Sequence, residues 1–90
     1  MPLVELKSWL TALKLLDSAF CRALALNARG FAYHLLKDYQ KALADFDEAI
    51  RLNPKYLNAY QNRAKTRKAA GDAEGSAADE AKVRELSKGN

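Results

Sequence analysis

The apolar positions of this chain recur in steps of three and four. Tyr39, Ala42, Leu43, Phe46, Ala49 and Ile50 follow that spacing most clearly, which places them on one face of an amphipathic helix. Lys41, Asp45 and Glu48 fall on the opposite face. Asn53-Pro54 stops the pattern, because proline has no amide hydrogen for the ladder and disfavours helix at the residue before it. Upstream, Leu26, Gly30, Tyr33 and Leu36 mark the inward face of a helix over Arg22–Lys37. Lys37-Asp38 makes the turn, and Asp38 is placed to cap the next helix. The connection is so short that the two helices must be antiparallel neighbours. A third helix is predicted from about Lys55 to Ala70, ended by Gly71-Asp72. A fourth, Ala73–Ser87, is weakened by Gly75 and Ser76 in its first turn.

Leu3, Leu6, Leu10 and Leu13 form one more apolar stripe, widened by Val4, Trp9 and Leu16, and predict a helix over Leu3–Leu16. Its end is placed at Asp17-Ser18. No proline or glycine lies between Leu3 and Arg29, so a single helix running from Leu3 to Lys37 is the competing prediction. The pattern therefore gives an all-α chain of about five helices. Val4, Val83 and Ile50 are the only valines and isoleucines, which leaves little for a sheet to be built from.

A chain of 90 residues fits one domain, but it buries only a modest fraction of its surface, so its core needs stacking or a partner. The formal net charge of +4 favours acidic partners without diagnosing nucleic-acid binding. Arg63, Lys65, Arg67 and Lys68 form a basic run, but on a helix they spread over several faces. Nucleic-acid binding through them is the least favoured function. The single cysteine, Cys21, excludes an internal disulfide, suits a reducing, cytoplasmic location, and reads as a small buried hydrophobe. His34 is the only histidine; there is no zinc-type spacing of Cys and His, and no third orienting group stands out to complete a set with Cys21 and His34. Asp45, Asp47 and Glu48 read as a solvated helix face rather than a split acid–base pair. The sequence thus predicts no catalysis, no cofactor and no metal. No stretch approaches the length of about 20 apolar residues that spans a bilayer, and no membrane partner is expected.

The chain also compares with itself at an offset of 34 residues, a period typical of helix–turn–helix repeats. Leu26 pairs with Tyr60, Arg29 with Arg63, Gly30 with Ala64, Asp38 with Asp72, Asp45 with Asp79 and Leu52 with Leu86. The repeated arginines and aspartates fit a structural bidentate pair, Arg29 with Asp45 and Arg63 with Asp79. The phrases NARGFAY, DYQKALADFDEAIRLNP and YLNAYQNRAK, with Gly30, Tyr33, Ala42, Phe46, Ala49 and Pro54 in register, resemble the tetratricopeptide repeat. Residues 23–56 look like one complete copy and 57–90 like a degenerate one. In the second copy Arg67 replaces Tyr33, Glu80 replaces Phe46 and Arg84 replaces Ile50. Its last helix then reads as a polar cap. Residues 1–22 form an N-terminal apolar helix in which Trp9, Ala12, Leu13 and Leu15 imitate the end of a preceding repeat.

This resemblance implies antiparallel helical hairpins stacked as a short array. It also implies a scaffold module that binds a peptide or helix of another protein on the concave face. Carried over position by position, that face comprises Leu24, Asn27, Phe31 and His34, then Asn58, Gln61, Asn62, Lys65 and Lys68. Amides there can bond an extended backbone and lysines attract carboxylates. One branch of the family clamps the terminal carboxylate of chaperone tails with lysine and asparagine. Asn62 matches one of its asparagines, but Asn27 stands where the clamp has lysine and Phe31 where it has asparagine, so that clamp is not expected. The alternative function is a structural or self-assembling repeat unit, natural or engineered. It would form a homodimer through Leu6, Trp9, Leu10 and Leu13.

Overall fold

A computed structural model of the chain describes residues 19–88, and these fold into four helices: α1 (Cys21–Leu35), α2 (Tyr39–Leu52), α3 (Leu57–Ala69) and α4 (Ala73–Lys88). The fold is the expected all-α hairpin array, with four helices among the described residues where about five were expected over the whole chain. The remaining expected helix, Leu3–Leu16 with Leu6, Trp9, Leu10 and Leu13, lies outside the described residues. So does the choice between one helix and two over residues 1–37.

The hairpin turns repeat with the sequence period. After α1, Lys37 takes a left-handed conformation at φ 65°. Its amide donates to the His34 carbonyl at 2.9 Å, and the Asp38 amide donates to the Tyr33 carbonyl at 2.9 Å. After α3, Gly71 does the same at φ 92°. Its amide donates to Lys68 O at 3.1 Å and the Asp72 amide to Arg67 O at 2.7 Å. These paired bonds satisfy carbonyls that the helix end would otherwise leave without partners. The aspartate that follows each turn then caps the next helix. The Asp38 carboxylate accepts from the Lys41 amide at 3.4 Å and that of Asp72 from the Gly75 amide at 2.9 Å. The left-handed turn ends α1 at Leu35 and turns Leu36 outward. Leu36 is 75% exposed rather than part of the inward face.

Lys37 holds, with a Cβ, a backbone conformation that glycine adopts freely. Lys37→Gly is therefore expected to stabilise the fold by about 0.5–1 kcal/mol after the unfolded chain's extra freedom is subtracted. Thermal unfolding followed by circular dichroism checks this, with a midpoint raised by a few degrees as the expected result. A lowered midpoint would mean that the lysine side chain contributes more than its backbone costs.

Close helix approach explains the small residues. The buried apolar side chains among the described residues are Ala23, Ala42, Ala49, Ala59, Ala64, Phe46 and Tyr60. A Cβ added to Gly30 would lie 2.7 Å from the Phe46 ring, so α1 and α2 pack with that ring against bare backbone. Ala23, Ala49 and Ala59 join the first hairpin to α3, with Leu26, Ile50, Leu52 and Tyr56 packed around them. The order in space follows the order in sequence: α2 packs on α1, α3 on α2 and α4 on α3, while α1 also touches α3. The first helices of the two hairpins, α1 and α3, thus lie side by side.

The second hairpin buries little apolar volume, as its composition predicts. On α4 only Ser76 and Asp79 are buried, and Ala77, Glu80 and Arg84 are exposed. Gly75 is small for a reason the sequence did not disclose. A Cβ there would meet the Asp72 carboxylate and the Arg67 chain. Two expectations are corrected. Cys21 is exposed, not buried, because it falls on the face of α1 opposite Ala23 and Asn27. Asp45 is buried rather than part of a solvated face, because Arg29 neutralises it.

Candidate functional site

The repeated arginines and aspartates form the bidentate pairs expected of them. Arg29 Nε and Nη2 donate to Asp45 Oδ2 and Oδ1, both at 2.8 Å. Arg63 Nε and Nη2 donate to Asp79 Oδ2 and Oδ1 at 3.0 and 2.7 Å. Each pair ties the first helix of a hairpin to the second. Hydrogen bonding to the aspartate raises both guanidinium pKa values above the ordinary arginine value, with burial opposing the rise. Arg63 reaches further, to Asp47 on α2 at 2.9 Å, and so links the two hairpins. Arg67, where the first hairpin has Tyr33, bonds Asp79 at 3.0 Å and the Gly75 carbonyl at 3.4 Å. An ionic network thus replaces an aromatic packing residue. It also divides the basic run: Arg63 and Arg67 turn to carboxylates, while Lys65 and Lys68 are exposed.

A polar ladder joins α1 to α3. Asn27 Nδ2 donates to Asn58 Oδ1 at 2.8 Å, and Asn62 Nδ2 donates to Asn27 Oδ1 at 3.0 Å. Further along, the Thr66 hydroxyl gives its proton to the Asn62 carbonyl at 2.9 Å. The 2.9 Å contact of His34 Nδ1 with Thr66 Oγ1 is then donated by the histidine, which fixes the Nδ1–H tautomer. Buried amides that satisfy one another hold two helices in a single register.

Of the nine residues expected on the concave face, Asn27 and Asn62 are buried in this ladder. His34 is half-buried at its end, stacked on Phe31 with ring centroids 6.2 Å apart. Leu24, Phe31, Asn58, Lys65 and Lys68 are exposed and Gln61 is half-exposed. Leu24 and Phe31 remain 45% and 40% exposed although apolar. Together with Phe20 and Leu35 they give α1 an apolar outer face.

Gln61, Lys65 and Lys68 also line one side of a groove of about 500 Å³ between α3 and α4. Its other side, with Ser76, Glu80, Val83 and Arg84, was not anticipated. The signal lay in the replacement of Phe46 by Glu80 one period later, which removes the side chain that fills the first hairpin. Among the described residues, no cluster of His, Cys, Asp and Glu suits a metal ion. No described helix is long and apolar enough to cross a membrane.

Two hairpins in register, tied by repeated ion pairs and turns, define a helical-repeat protein. Residues 23–56 match the family model described as tetratricopeptide repeat. That segment, a little over a third of the chain, is a tetratricopeptide repeat. Neither the curated proteins nor the solved structures gave a match. Tetratricopeptide repeats are protein-interaction modules, and the match supports that general role here.

Proposed function

We propose that this chain is a non-catalytic, cytoplasmic scaffold module, built of one complete and one degenerate repeat. It binds a peptide or helix of another protein along the face formed by α1 and α3. The observation that carries this is the pairing of an exposed apolar strip with exposed cations on two helices held in register. Leu24 and Phe31 lie on α1, and Lys65 and Lys68 lie on α3, which the asparagine ladder and the His34–Thr66 bond lock together. An apolar anchor on Phe31 with carboxylates toward the lysines is the ligand chemistry that fits. Asn58 and Gln61 remain accessible to its backbone, whereas Asn27 and Asn62 serve as the frame.

Phe31→Ala tests this directly. An interface aromatic contributes about 1–2 kcal/mol or more when truncated, so affinity for a partner isolated with the wild-type chain should fall roughly tenfold. Because Phe31 is exposed, the unfolding midpoint should stay within about 2 °C. Isothermal titration with that partner reads the first quantity and circular dichroism the second. Unchanged affinity in the variant would remove Phe31, and with it the proposed face, from the interaction.

A further inference from the structure

We infer that the groove between α3 and α4 is a docking seat for an acidic amphipathic helix of a partner protein. This rests on the interaction-module reading and adds to it a second surface, which shares Lys65 and Lys68 with the first and is told apart from it by Phe31 on one side and Val83 and Arg84 on the other. The first hairpin shows how such a seat works: α3 lies against α1 and α2 and presents a cation, Arg63, to the Asp47 carboxylate of α2. One period on, the geometry recurs with the polarity reversed. Ala81 stands where the first hairpin has Asp47, so the second seat has lost its carboxylate there. Phe31, His34 and Ile50 are replaced by Lys65, Lys68 and Arg84, which all line the open groove.

Arg29, Arg51, Arg63 and Arg67 each meet a carboxylate. Among the described residues, Lys65, Lys68 and Arg84 meet none. Glu80 faces the same groove, where the first hairpin carries the Phe46 ring, and leaves the lining with a positive excess. Ala64 and Val83 supply its apolar floor. A helix with a narrow apolar stripe flanked by glutamates or aspartates matches this lining in shape and sign. A second copy of the chain does not match through its own α1 or α3. The first carries Arg22 and Arg29 with no acidic residue, and the second carries Arg63, Lys65, Arg67 and Lys68. Either would set cations against cations.

The test uses a rhodamine-labelled synthetic helix of about 18 residues with a leucine–alanine stripe flanked by glutamates, and a twin with glutamine at every glutamate. Both are titrated against the full chain by fluorescence anisotropy, and the contacts are mapped by ¹⁵N amide shifts. The glutamate helix should bind, and binding should weaken steeply between about 50 and about 300 mM salt. Its shifts should centre on Ala64, Lys68 and Val83. Lys65→Glu with Arg84→Glu should weaken it about tenfold or more, with Lys65→Gln and Arg84→Gln as the milder pair should the reversal disturb folding. Phe31→Ala should leave it unchanged.

Equal binding of the glutamine twin, or no binding up to about 1 mM, would overturn the acidic seat. Shifts confined to Leu24 and Phe31 would overturn it while leaving the α1–α3 face intact as the binding surface. Groove shifts that grow with protein concentration alone, with a dimeric mass by light scattering, would assign the groove to a second copy and overturn it as well.

Discussion

Phe46→Ala is expected to lower the unfolding free energy by about 3–5 kcal/mol, the range for emptying a buried phenylalanine site. The position is unusual for how much depends on it. The other buried apolar side chains described are five alanines and Tyr60, so this ring supplies much of the apolar volume in the first hairpin. It is fully buried and lies on the Gly30 backbone. The Gly30 backbone faces the ring and the buried residues one turn away on α2, Ala42 and Ala49, are small, so the site closes poorly once the ring is removed. Small domains have total stabilities near the low end of about 5–15 kcal/mol. The variant should thus be largely or partly unfolded at room temperature. Urea titration followed by circular dichroism at the helical band measures it. A loss below about 1 kcal/mol would show that the ring's seat can close without it.

Asp79→Ala is the second large expected effect, at about 3 kcal/mol. Asp79 is nearly fully buried and receives Arg63 and Arg67 together. Removing it leaves two guanidinium groups facing each other's charge in a half-buried site, answered only by the exposed carboxylates of Asp47 at 2.9 Å from Arg63 and Asp72 at 4.0 Å from Arg67. The equivalent change in the first hairpin, Asp45→Ala, should cost clearly less, although the pair geometry is nearly identical. The difference lies with the arginine left behind. The Arg29 side chain is 62% exposed and can return to water, whereas that of Arg63 is 16% exposed and cannot do so without opening the hairpin. Denaturant midpoints for the two variants decide the matter. Equal losses would show that the arginine's burial is not what makes the pair costly to break.

These two residues also show where each hairpin keeps its stability. The first relies on an aromatic ring set against glycine. The second lacks that ring and is held by an ionic network of Arg63, Arg67, Asp72 and Asp79. The exchange leaves the second hairpin with an open, cation-lined face in place of a filled one. Its structure and the chemistry proposed for it therefore have one origin, the replacement of Phe46 by Glu80 and of Tyr33 by Arg67.

Much of this was determined by the sequence alone. Local rules are enough to fix helices, because spacing of apolar residues, proline at position 54 and aspartates at 38 and 72 act within a few residues of themselves. The offset of 34 residues aligned Arg29 with Arg63 and Asp45 with Asp79, and since equivalent positions in a repeat have equivalent neighbours, an ion pair in one hairpin implies its counterpart in the other. Only the tertiary structure decided which polar residues face solvent. Asn27, Asn62 and Lys65 look alike in a pattern of polar positions. Burial separates them, because α3 lies against α1 and amides can satisfy one another there while a lysine cannot. Likewise no local pattern could show that Leu36 turns outward, that Gly75 makes room for Arg67, or that α3 and α4 part into a groove. Each depends on where a helix from elsewhere in the chain comes to rest, and that is settled by packing between helices rather than by the propensities within one.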